Sequence, residues 1–469
     1  MTSSTTQHST SQHSTSPQKS ARHSSSAHGS SGRSTAAPGS QPAGPPGTAP
    51  SAAPSAAGST LRQPRVVWAI AFACVISFMG IGLVDPILTS IAAELDASSS
   101  QVMLLFTSYL FITGLAMLFT SWVSSRIGAK KTLLAGLALI VVFAALAGAS
   151  GSIGQIIGFR AGWGLGNALF ISTALATIVA SASGSTASAI ILYEAALGIG
   201  IAVGPLVGGA LGEVSWRAPF FGTAALMAVG FLAIVMFFGR SAPSTGPKIS
   251  ATASFSALKK PGLRTLALAA LFYNFGFFVL LAYSPFPIEA AAETVGIHVG
   301  AHELGLVFFG WGICLAITSV VAAPRLTRRF GLHAVLYAML GLLALDFVVL
   351  ATFTDRFAVI VTAIIVAGLF LGVLNTALTE AVMESTDLPR SVASSTYSGV
   401  RFMGGAVAPA VAGPIRDHLG LPAPYWTAAV AVLVAIGVLV LGRRTFAQDH
   451  DVPSESAEDE ALAISAGDA

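Results

Sequence analysis

Apolar residues arrive in long blocks along most of this chain, and polar residues fill the short gaps between them. Many blocks hold roughly 20 residues or more, the length a helix needs to cross the ~30 Å hydrocarbon core of a bilayer. Read this way, the pattern predicts twelve spans, over residues 66–92, 102–122, 132–150, 154–180, 187–212, 219–239, 264–288, 302–323, 332–353, 357–382, 391–414 and 423–442. Spans 10 and 11 are the least cleanly separated. Residues 1–62 carry almost no large apolar side chain, so burial cannot offset their ordering entropy, and they read as a disordered cytoplasmic tail. Residues 444–469 read as an acidic, flexible cytoplasmic tail. A longer polar break at 240–263, the cytoplasmic central loop, separates an N-terminal six-helix half (63–239) from a C-terminal one (264–443).

Composition agrees with an all-α membrane protein. Hydrophobic residues make up 54% and charged residues 10%, against roughly 45–50% and 25% in soluble domains. Cys74 and Cys314 both fall inside spans and read as small apolar packing residues. The first apolar run begins near Val66 and is too long for the core of a cleavable signal. His8, His13, His23 and His28 are irregularly spaced with no companion ligand, so no metal site is expected there. Cations set the orientation. Arg126, Lys130, Lys131, Lys259, Lys260 and Arg329 all fall in gaps on the side of the N-terminus, whereas the opposite gaps hold Arg217, Arg356 and Arg416. Both termini are therefore expected in the cytoplasm.

Span 5 contains Gly200-Ile-Ala-Val-Gly204-Pro205-Leu-Val-Gly208-Gly209. Glycines four residues apart bare one helix face, so a neighbouring backbone can come close. The proline removes a backbone donor and is expected to interrupt a regular helix. Adding 204 to these positions reaches Gly404-Gly-Ala-Val-Ala408-Pro409-Ala-Val-Ala412-Gly413 in span 11. The loop after span 2 (Arg126-Ile-Gly128) is likewise echoed after span 8 (Arg329-Phe-Gly331). Two repeated six-helix halves are a transporter architecture, with the substrate site between them near the midplane.

The span 5 string resembles the antiporter motif of drug:proton antiporters of the major facilitator superfamily with twelve spans. Ser121-Trp-Val-Ser124-Ser125-Arg126-Ile-Gly128-Ala-Lys130-Lys131 is similar to that superfamily's cytoplasmic loop signature, with Arg126, Gly128 and Lys130 matching. Ser121 stands where the signature opens with glycine, and Ser125 replaces its aspartate. A charged latch in the family uses that aspartate, so Ser125 or another acid would have to serve here. Arg160-Ala-Gly162-Trp163-Gly164-Leu-Gly166 in span 4 resembles the family's R-x-x-x-G-x-G pattern, with Trp163 where glutamine is more usual.

Ionisable groups within spans are costly and are functional candidates by default. Asp85 in span 1 and Arg160 in span 4 agree in height to within about a turn and a half, which makes them candidate partners for proton coupling. Burial and a guanidinium pull a carboxylate's proton affinity in opposite directions. Glu194 in span 5 is the second candidate carrier, or a contact for a cationic substrate. Asp346 is expected near the outer surface or against a polar neighbour. Arg401 could pair with Asp346 or with a substrate carboxylate, and Glu380 reads as a solvated helix end. Tyr273, Asn274, Phe277, Asn375, Thr379 and Arg401 are the candidate substrate contacts.

No phosphate-binding loop, metal cluster or nucleophile–base arrangement is legible, so no cofactor and no enzyme chemistry are expected, and nothing suggests nucleic acid. The resemblance implies a major facilitator fold in the cell membrane, acting as a monomer with protons and a small molecule as partners. It implies proton-coupled efflux of organic compounds such as drugs or secreted metabolites. Coupled or facilitated uptake of a small metabolite on the same fold is the alternative, and a non-transporting sensor a third.

Overall fold

The computed structural model describes residues 63–183, 186–239 and 249–447, apart from the side chains at 186–191, 194, 390 and 444–447. The tail at 1–62, the residues beyond 447, and the Glu194 side chain thus lie outside the described residues. All regular structure among the described residues is helical. Eleven helices are long and apolar enough to cross a membrane. The remaining expected span, the eleventh, is one helix over Arg390–Leu419. Ser391, Ser394, Ser395, Thr396, Ser398 and Arg401 make its first third too polar to read as a membrane helix from composition.

Proline explains where spans break. Span 1 runs Arg65–Gly82, passes a 3-10 turn at Asp85–Ile87, and resumes at Leu88–Glu94. Pro86 lacks the amide that a continuous ladder needs. Span 7 divides into Pro261–Tyr283 and Pro285–Thr294 for the same reason. Span 5 does not behave as the sequence suggests: Thr186–Val214 is one helix with Pro205 inside it. Span 8 changes winding instead, through a π-turn at Thr318–Ala322 between Ala301–Ile317 and Ala323–Phe330. The central break holds a short helix, Ala253–Ala257, whose Ser254 hydroxyl donates to the Leu118 carbonyl of span 2 at 2.8 Å. Span 12 continues as Ala423–Ala447, past the expected start of the C-terminal tail.

The repeat is visible in three dimensions. Span 5 lays one glycine stripe on span 1. A Cβ on Gly200 would stand 2.5 Å from the Val75 carbonyl oxygen, and one on Gly204 would stand 2.6 Å from that of Met79. Gly208 sits equally close to Leu83. Gly209 faces the other way, where a Cβ would stand 2.5 Å from the Ala301 carbonyl of span 8. In span 11, Gly404 packs on Leu271 of span 7 and Gly413 on Ser100 and Met103 of span 2. Span 5 therefore relates to spans 1 and 8 as span 11 relates to spans 7 and 2. Gly128 (φ 85°) and Gly331 (φ 81°) turn the chain identically after spans 2 and 8, in a conformation that costs glycine little.

Exposed apolar side chains such as Val229, Leu232 and Met236 on span 6, and Val430, Leu433 and Leu441 on span 12, face outward. Lipid is the solvent that leaves such a surface without a penalty.

Candidate functional site

Spans from both sets of six enclose a cavity of about 90 Å³. From the first six come Phe78 and Gly82 of span 1, Met117 of span 2, Ile171 of span 4, and Tyr193 and Leu197 of span 5. Phe277, Trp311, Asn375, Thr379, Tyr397 and Arg401 come from the last six. The cavity is smaller than the roughly 300–1,000 Å³ pockets that hold drug-sized ligands, so loading one requires the spans to part.

Four of the six expected substrate contacts, Phe277, Asn375, Thr379 and Arg401, line this wall. The other two brace it. The Tyr273 hydroxyl donates to Asn375 Oδ1 at 3.3 Å, and Asn274 Nδ2 donates to the Arg401 carbonyl at 2.8 Å. Arg401 Nη1 donates to the same Asn375 Oδ1 at 2.5 Å. Arg401 forms no ion pair with Asp346. Asp346 is buried in span 9 within electrostatic reach of Tyr425, whose hydroxyl donates to Ser284 at 2.9 Å. Glu380 is exposed, as a helix-end group should be.

Asp85 and Arg160 are both fully buried and are not among the residues that line the cavity. They feel each other's charge, but no ion pair joins them within 4.0 Å, and neither carboxylate oxygen of Asp85 has a hydrogen-bond partner. The Arg160 guanidinium lies over aromatic rings instead, 4.5 Å from the Tyr109 centroid, 4.7 Å from that of Trp163 and 5.9 Å from that of Phe106. Ring faces attract a cation electrostatically, more strongly once water is gone. Gly80 makes room for this cage, since a Cβ there would stand 2.9 Å from Trp163. Below it, the Ser77 hydroxyl of span 1 donates to Asn167 Oδ1 of span 4 at 2.5 Å.

The loop signature packs where spans 2, 3 and 6 end. Lys130 donates to the Phe238 and Gly239 carbonyls that close span 6, and it lies 5.6 Å from the Phe238 ring centroid. Arg126 is exposed. The Ser125 hydroxyl turns back to the Trp122 carbonyl of its own helix at 2.8 Å in this conformation. One link across to the second half comes from Ser121, which donates to the Ser391 carbonyl and meets the Ser395 hydroxyl, each at 3.1 Å. Cys74 is buried, Cys314 half-buried, and both are free thiols. Among the described residues, no group of three His, Cys, Asp or Glu side chains is placed to hold a metal.

Sequence reasoning passed over Phe78, Tyr193, Trp311 and Tyr397. Tyr193, Leu197 and Ile201 recur every four residues on span 5, and Tyr397 lies one turn before Arg401, so helical spacing counted outward from Arg401 and from the glycine stripe could have found them.

Two pseudo-repeated sets of six helices around a central cavity define a membrane transporter. The family model for the Major Facilitator Superfamily matches residues 70–294 and 287–466. The chain belongs to that superfamily. It is 53% identical to the multidrug efflux protein YfmO of Bacillus subtilis over 387 residues, 82% of this chain and 95% of that one. It is 23% identical to the quinolone resistance protein NorA of Staphylococcus aureus, across 80% of this chain and 94% of that one. The crystal structure of the human organic anion transporter MFSD10 superposes with a TM-score of 0.62 at 18% identity, covering 80% of this chain and 99% of that one.

Proposed function

We propose that this protein is a secondary active exporter that moves small organic compounds out across the plasma membrane in exchange for protons, with both termini in the cytoplasm. Efflux comes from the likeness to YfmO, named a multidrug efflux protein, which extends over 82% of this chain. The observation that supports proton coupling is Asp85: a fully buried carboxyl whose oxygens have no donor, beside an arginine held elsewhere. A buried carboxylate without a donor is costly when ionised and far less so when neutral. Arg160 supplies compensating charge from its aromatic cage, so a movement between spans 1 and 4 alters the cost of ionising Asp85. Glu194 is the alternative carrier. A proton entering down the membrane potential releases about 2.3 kcal/mol per 100 mV, enough to concentrate a substrate outward without ATP.

The glycine contacts of span 5 let it work against spans 1 and 8 while the cavity is exposed to one side and then the other. In cells lacking their own exporters, expression of this chain should lower the steady-state level of a dye such as ethidium. A protonophore should abolish that difference while ATP stays high. Efflux that persists with the gradient collapsed contradicts antiport.

A further inference from the structure

Asp346 is a second buried carboxyl, and it takes no part in the cavity wall or in the Asp85 site. We infer that Asp346 is a proton-binding site separate from Asp85, and that Tyr425 relays its charge to the break in span 7. Only 7% of the Asp346 surface is exposed, and its Oδ2 has no hydrogen-bond partner. Among the described residues it forms no ion pair. Spans 10 and 12 pack against span 9. The acids of span 10, Glu380 and Glu384, lie at the far end of that helix from Asp346, and so does Arg443 of span 12. The titratable group within electrostatic reach is the Tyr425 hydroxyl of span 12. A buried carboxylate with neither donor nor counter-ion is costly when ionised and far less so when neutral, and an intramembrane acid is a functional candidate by default.

Tyr425 ties Asp346 to the break. Its hydroxyl donates to Ser284 Oγ at 2.9 Å, and Ser284 is fully buried between the helices Pro261–Tyr283 and Pro285–Thr294. The neighbouring Tyr283 ring lies 5.4 Å from that of Tyr425, and its hydroxyl donates to the Leu421 carbonyl at 2.7 Å. The internal repeat gives this break its counterpart. Adding 199 to Asp85-Pro86 reaches Ser284-Pro285, and the same step carries Ala92-Ala93-Glu94 onto Ala291-Ala292-Glu293. In the first half the broken span carries a carboxyl at the break itself. In the second half serine holds that place, and the carboxyl lies one tyrosine away. A phenol has a single proton to donate. With Asp346 neutral, Ser284 receives it. An ionised carboxylate is the stronger acceptor, so loss of the proton draws the Tyr425 hydroxyl toward Asp346 and releases Ser284. The outer segment of span 7, Pro285–Thr294, packs against Leu88–Glu94 of span 1. Its hold on the break thus follows the charge on Asp346.

Hydrogen–deuterium exchange of residues 285–294 in the purified full-length chain tests this, at pH 5 and pH 9 after correction for the intrinsic pH dependence of amide exchange. Glu289, Glu293 and His298 interact within and beside the same segment, so the comparison is made in a Glu289→Gln background. Exchange in that parent should be about tenfold faster at pH 9, the change expected on losing a hydrogen bond to a charged competitor. Asp346→Asn, which mimics the neutral acid, should be slow at both values. Tyr425→Phe, which removes the relay and keeps the ring, should be fast at both. Infrared difference spectra between the two pH values should contain a carboxylic C=O band that Asp346→Asn lacks. Neither substrate nor gradient enters, so the result stands apart from the exporter reading, which fails or survives on gradient-driven efflux. Exchange in the parent that does not change with pH overturns the inference and needs no further variant. So does a pH dependence, or an infrared band, that persists undiminished in Asp346→Asn.

Discussion

Arg160 is a buried cation whose guanidinium nitrogens have no hydrogen-bond partner, and aromatic rings surround it. Replacing it with lysine keeps the charge but loses the planar fit over Tyr109 and Trp163, because an ammonium is a compact, strongly hydrated point charge. Arg160→Lys should therefore lower the thermal midpoint of the purified protein, and Trp163→Gln should lower it for the same reason. Unchanged midpoints in both variants would show that the cage carries no energy. At Asp85 the expectation is opposite. Asparagine mimics the protonated acid and breaks no hydrogen bond, so Asp85→Asn should fold and bind substrate while losing accumulation driven by a proton gradient. Binding and vesicle uptake measured on one preparation decide it; coupled uptake at the wild-type rate moves the carrier role to Glu194. Asp85 and Arg160 were legible in the sequence as intramembrane charges, but their separation was not. A rise of 1.5 Å per residue fixes height and says nothing of direction around the helix axis. The clue lay in Trp163, the residue that departs from the family pattern and occupies the guanidinium.

Helix approach is set by what glycine leaves out. Gly204 lies against the Met79 carbonyl, so any side chain there meets backbone rather than a flexible tip. Gly204→Leu should reach the membrane in normal amounts yet transport at a small fraction of the wild-type rate, checked by surface expression beside vesicle transport. Wild-type transport would reduce the stripe to ordinary packing. A second contact lies at the ends of spans 1 and 7 expected to face outside. Glu289, in the segment Pro285–Thr294 past the membrane-crossing helix Pro261–Tyr283, is held above the usual carboxylate range chiefly by burial, with the Thr89 hydroxyl of span 1 and His298 opposing and Glu293 adding to it. An acid whose folded pKa is raised loses stability as pH rises from its unfolded value through its folded one. Glu289→Gln should thus raise the thermal midpoint at pH 7.5 and leave it nearly unchanged at pH 4. An equal shift at both values would show that ionisation is not the cause. At this scale the glycine spacing foretold close approach correctly. Proline was a poor guide, breaking spans 1 and 7 at Pro86 and Pro285 but not span 5 at Pro205. Whether a helix continues through proline depends on the neighbours it packs against, which one strand of sequence does not display.

The 204-residue offset, read from two glycine–proline strings, carries through to the packing of spans 5 and 11 on equivalent partners, to the paired Gly128 and Gly331 turns, and to Tyr193 and Tyr397 across the cavity. Helix lengths and the repeat were legible because lipid imposes length and close packing imposes glycine. The cavity wall was only half legible, since residues such as Phe78 and Trp311 are ordinary apolar residues until two halves are folded against each other. Nothing local in sequence marks Ser121 as a partner of Ser391 and Ser395. The account as a whole stands on proton-driven export, and the most direct measurement uses the purified full-length protein in liposomes with an imposed pH gradient and no nucleotide. A lumen more acidic than the bath should drive ethidium uptake through inside-out molecules, and the uptake should collapse when nigericin dissipates the gradient. Equal ethidium movement with and without the gradient would contradict the account.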